Sequence, residues 1–160
     1  MDLSISSSPN LDVPGLLAEL DRYPYGCLEH VTRRAVPLLY TNLLGERSAY
    51  SVDAIVDTSL PGKIQEAIER VLQKQHGSGS FGLWSDMGRA EPWLSAYAMD
   101  FLSRAQEKGY TVPEYFYEKG MQWLNNRIKN THDPAKEDLE ALAYAHWVLA
   151  RNGQGRHEDA

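Results

Sequence analysis

Apolar residues recur along most of the chain at intervals of three and four, the spacing of one helical face. The clearest case follows Pro61: Ile64, Ala67, Ile68, Val71 and Leu72 form one stripe, and Gly77 is the expected stop. Pro92 opens a second helix that is apolar nearly all round, from Trp93 and Leu94 to Leu102 and Ala105. It is expected to be buried on more than one side and to end at Gly109. Pro113 opens a third, with Tyr117, Met121, Leu124 and Ile128 on one face. Asp133-Pro134 reads as an N-cap and first-turn proline, leading into a helix with Leu139, Leu142, Ala143, His146, Trp147 and Ala150 on one face and Asn152-Gly153 at its end. Nearer the start, the pattern predicts a short helix from Asp12 to Leu20. A longer helix follows from about Cys27 to Leu44, kinked by Pro37, and then a loop from 46 to 60 with a short helical piece at 52–57. Only Leu3 and Ile5, alternating with Ser4 and Ser6, hint at an extended segment. The fold class is all-α.

Two of these helices resemble each other. Ala96-Tyr97-Ala98 through Leu102 and Arg104 matches Ala143-Tyr144-Ala145 through Leu149 and Arg151 at an offset of 47, and each copy follows another helix. A period of that size is the mark of stacked helical hairpins, which form an arc or partial toroid with the more apolar helices inside.

Composition narrows the function classes. The 160 residues suit one domain. A net charge of −6 argues against nucleic acid as partner. One cysteine excludes an internal disulfide framework and a cysteine-based zinc site. No run reaches the ~18 apolar residues of a membrane span, and the first residues lack the basic and apolar regions of a signal peptide. Work outside the cytoplasm therefore implies a longer parent chain.

The candidate chemistry centres on Tyr23-Pro24-Tyr25-Gly26-Cys27-Leu28-Glu29-His30, a sharp turn into a helix that carries the single cysteine. The positive end of a helix dipole attracts negative charge, which makes the position a candidate for thiol chemistry. Cys27 and His30 read either as a thiol with a base in reach or as a turn kept for packing, and the second is favoured because no orienting group or oxyanion hole is placed. Gly77, Gly79 and Gly82 spell G-x-G-x-x-G, but a helix precedes them where a strand is required, so they read as a structural loop. His132 reads as a cap or loop residue and His146 as a core histidine. Glu29, Asp86, Glu91 and Asp100 are the acids available to an enzyme, with no spacing that pairs them. Trp84, Trp93, Tyr97, Trp123, Tyr144 and Trp147 read as core, with a concave binding surface as the alternative.

The Tyr23–Glu29 segment resembles the thioester segment of bacterial members of the α2-macroglobulin and complement family. Gly79-Ser80-Phe81-Gly82-Leu83-Trp84, Pro92 to Leu102, and Ala143 to Arg151 resemble later stretches of the same domain. The resemblance implies an α/α toroid of inner and outer helices. Residues 11–153 are then about the first half of the ring, residues 1–10 an extended tail from a neighbouring β domain, and residues 154–160 a disordered end. In that family the thiol displaces ammonia from a glutamine three residues on, and the resulting thioester captures prey covalently. Here His30 stands in the glutamine's place, and an imidazole has no acyl group to give. Cys27, Leu28, Glu29 and His30 therefore read as a vestigial thioester position. The implied function is a fragment of a periplasmic, non-enzymatic protease inhibitor that traps proteases without a covalent bond in defence of the envelope. Its partners are proteases, other domains of the parent and envelope proteins, with no cofactor, metal, nucleic acid or membrane insertion. The alternatives are an α/α-toroid enzyme of glycosidase or lyase type, or a stand-alone helical adaptor.

Overall fold

A computed structural model describes residues 26–40 and 59–153. Within them lie five helices: α1 (Leu28–Leu38), α2 (Leu60–Leu72), α3 (Pro92–Glu107), α4 (Glu114–Asn130) and α5 (Lys136–Arg151). No strand longer than an isolated bridge occurs among the described residues. The expected elements at 1–10, 12–20, 46–58 and 154–160 lie outside the described residues.

The helices form the two layers of an α/α toroid. α3 packs against all four others, α1 and α5 flank it, and α2 and α4 complete the α1–α2–α3 and α3–α4–α5 corners. The reason is compositional. α2 buries Ile64, Ile68 and Val71 along a single stripe, which suffices for an outer helix. α3 buries Ser95, Ala96, Ala98 to Ser103 and Ala105, leaving only a narrow sector free. Phe81, Met99, Phe101, Leu102 and Met121 fill the space between the layers.

The sequence misplaces several boundaries. α2 stops at Leu72, five positions before Gly77, because Gln75 pairs with Phe81 and the chain turns back there. α4 begins at Glu114, with Pro113 as its N-cap. α5 starts at Lys136 after Ala135, not at Asp133-Pro134; residues 131–135 are spent reversing the chain, with Thr131 Oγ1 donating to Arg127 O at 2.7 Å. Pro37 lies in the last turn of α1, where Leu39 and Tyr40 tighten onto the carbonyls of Val36 and Pro37, so it closes the described helix instead of kinking its middle.

Candidate functional site

Cys27 is the N-cap of α1, with extended backbone (φ −60°, ψ 166°), and His30 is the third residue of the helix. N-cap and N3 side chains meet in this geometry, as they do in a capping box. The Cys27 Sγ lies 3.3 Å from His30 Nδ1, at hydrogen-bonding distance for sulfur. Cys27 is buried, and His30 and Glu29 are exposed. Leu28 is fully buried, and its N–H donates to Leu83 O at 2.7 Å, so the loop after α2 holds the turn in place. Thr32 Oγ1 donates to Leu28 O at 2.8 Å and secures the first turn from below. On the α2 side, Gly26, His30, Val31, Arg34 and Lys63 border a cleft of about 180 Å³.

The supporting loop needs its glycines. Gly79 has φ +98°, and a Cβ there would stand 2.2 Å from Lys119 O on α4. A Cβ on Gly82 would meet Ser85 O at 2.1 Å. The G-x-G-x-x-G spelling is thus explained by a tight turn between helices, with Gly82 also bridged to Ala90.

α3 and α5 present a row of rings. Trp93 stacks on Tyr97 (5.2 Å between centroids) and on Tyr144 (5.7 Å), and Tyr144 on Trp147 (5.8 Å). Arg104 lies over Trp147 at 5.5 Å and Arg151 at 6.0 Å. Beneath the row Asp100 is buried and fully engaged. It accepts from Arg104 Nε at 2.8 Å and from Tyr144 Oη at 3.0 Å. Arg104 also donates to Tyr40 Oη at 2.6 Å, and Arg151 donates to Ser103 Oγ at 3.0 Å and pairs with Glu107. Burial, then the Asp100 charge and hydrogen bond, raise the Tyr144 pKa well above its ordinary value. Burial also raises Tyr97, with Asp100 and Glu29 adding to it and Arg33 opposing.

The expectation that the large aromatics are core is corrected for three of them. Trp84 is 68% exposed, Trp147 46% and Trp93 42%, while Tyr97, Trp123 and Tyr144 are half-buried. His146 is exposed and not a core residue, and His132 is exposed in the bend between α4 and α5. Periodicity identifies an apolar face but not what covers it, which is why both readings failed. Sequence reasoning singled out the Cys27–His30 turn but missed the Asp100–Arg104–Tyr144–Arg151 network. The repeat was its signal, since Tyr144 and Arg151 are the copies of Tyr97 and Arg104. Among the described residues, no group of three or more His, Cys, Asp or Glu side chains is arranged to hold a metal ion, and no helix is long and apolar enough to cross a membrane.

Layered helical hairpins with a cysteine at the N-terminus of an inner helix define the class of α/α-toroid thioester domains. The family model described as the A-macroglobulin TED domain matches residues 1–132, and the chain belongs to this family, in its bacterial α2-macroglobulin branch. It is 36% identical over 157 residues to the α2-macroglobulin of Escherichia coli (strain K12), covering 93% of this chain and 9% of that protein. The Rickettsia conorii α2-macroglobulin is 28% identical over 158 residues, covering 95% and 8%. Among solved structures, the E. coli α2-macroglobulin crystal structure spanning domain MG7 to the C-terminus superposes with a TM-score of 0.76 at 32% identity, covering 94% of this chain and 25% of that one. The Salmonella α2-macroglobulin reacted with methylamine gives 0.76 at 34%, covering 93% and 10%. The chain thus spans about a tenth of the length of the curated relatives it matches.

Proposed function

We propose that this chain is part of the toroid domain of an α2-macroglobulin that forms no thioester and holds proteases by physical entrapment. The observation that carries this reading is His30. Its imidazole occupies the place beside the Cys27 sulfur, 3.3 Å from it, where the family's chemistry requires a carboxamide. Thioester formation needs Sγ to attack an amide carbon while ammonia leaves, and His30 offers neither the acyl carbon nor the leaving group. Glu29, at i+2, is exposed and turned away from the N-cap. Location in the periplasm, proteases as prey, and neighbouring domains of a larger parent belong to the same proposal. The exposed apolar face of α5 supports the reading that the ring continues beyond the described helices.

Intact-mass measurement with and without methylamine is the test. The native protein is expected to show its full sequence mass, to take up no methylamine and to retain one free thiol. A mass short by one ammonia, or methylamine bound at residue 30, overturns the proposal. Entrapment without a covalent bond further requires that protease captured by the parent be released completely in denaturing detergent.

A further inference from the structure

We propose that the exposed stripe of α5 is the seat of the next inner helix of the same chain, docked in the register that α5 itself uses on α3. The inference rests on the continuing-ring reading above and assigns the surface that carries it.

The stripe is Leu139, Ala143, His146, Trp147 and Ala150, spaced i, i+4, i+7, i+8 and i+11. Leu139 is 50% exposed, Trp147 is 46% exposed, and the other three are exposed as well. A helix face of this kind normally lies against another element. α5 already uses a different face for the rest of the domain, burying Ala141, Ala145, Val148 and Leu149.

The repeat identifies the occupant. α3 receives α5 through Tyr97, Asp100, Ser103 and Arg104, which meet Tyr144, Arg151 and Trp147. Moving those four positions by the repeat offset of 47 gives Tyr144, Trp147, Ala150 and Arg151. The middle two stand bare in the stripe. α5 therefore repeats the receiving face of α3, one step further round the arc. Asp100, which accepts the Tyr144 hydroxyl, is replaced by Trp147, so the next contact is apolar where the last was polar. Trp147 is already held by Arg104 and Arg151, and the small Ala143 and Ala150 leave room on both sides for a ridge of side chains. Length agrees, since this chain covers 25% of the superposed E. coli structure. A second copy is the weaker occupant, because it brings a second net charge of −6 to a face that offers no fixed positive charge in return.

The test is thiol labelling of the full-length parent, with Cys27→Ser as background and Ala143→Cys or Ala150→Cys added singly. Ala135→Cys, exposed between α4 and α5, is the reference. Each change is close to the size of the alanine it replaces on an exposed face, so folding is retained. Labelling at 143 and 150 about tenfold or more slower than at 135, independent of protein concentration, is expected from a helix that must open to admit the reagent. Labelling as fast as at 135 overturns the proposal. Protection that fades on dilution also overturns it, in favour of a second copy. Methylamine bound at residue 30 would sink the thioester-less reading and leave this seat intact. Free labelling at 143 and 150 would do the reverse.

Discussion

Histidine and glutamine reach similar distances from the backbone, so replacing one by the other at position 30 changes the chemistry more than the packing. His30→Gln places a carboxamide at N3, facing the N-cap thiol that now lies 3.3 Å from Nδ1. In the full-length parent this variant is expected to gain what the natural chain lacks: loss of one ammonia, disappearance of the free thiol, and uptake of methylamine. Intact mass and thiol titration together check it, and an unchanged mass would mean that residue 30 is not the only missing part. The sequence located this site by itself, because the turn residues and the i, i+3 spacing are local. Burial of the thiol was not legible, because it depends on Leu28 being fully enclosed and on Leu83 arriving from a distant loop.

Between elements, the decisive contacts are close approaches and one buried charge. A Cβ on Gly120 of α4 would stand 2.2 Å from the sulfur of Met99 on α3, and Met99 is itself fully buried. Gly120→Ala is therefore expected to destabilise the fold by about 1–3 kcal/mol, the usual cost of overpacking, read from denaturant midpoints. Tyr144→Phe removes the α5 hydroxyl from the Asp100 carboxylate, with an expected loss of about 1.5–3 kcal/mol. It also changes the alkaline limb. The folded state holds the Tyr144 proton more tightly than the unfolded chain, whose value is the ordinary 10.0. This contribution is complete below about pH 10 and is lost as pH rises through the folded value. Stability measured across that range is expected to fall less steeply in Tyr144→Phe than in the natural chain. The helices were legible because their stripes are long and α3 is apolar all round. The contacts were not, because Gly120 reads as a helix weakness until Met99 is seen beside it.

At the scale of the molecule, the all-α layered arrangement follows from the order of partly and wholly apolar helices and from the 47-residue repeat. What failed was the assignment of inside and outside. Leu139, Ala143, His146, Trp147 and Ala150 satisfy every pattern rule for a core face and yet lie exposed on α5. Trp84 is likewise exposed, on a loop pinned by Lys74 Nζ donating to Trp84 O at 3.1 Å. Pattern rules assume that each apolar face finds its partner among the elements at hand, and that assumption breaks where an arc ends.

The bond from the Leu28 amide to the Leu83 carbonyl has a consequence for biosynthesis. Helix α1 is made early, but the strut that fixes its first turn is made only after α2 and the loop beyond it. Long-range closure of this kind comes late, since chain entropy must be lost before the contact forms. On the ribosome, where chains emerge N-terminus first, Cys27 spends the interval before Leu83 emerges as an unshielded thiol. Alkylation of nascent chains arrested at successive lengths is expected to drop sharply once that residue clears the exit tunnel.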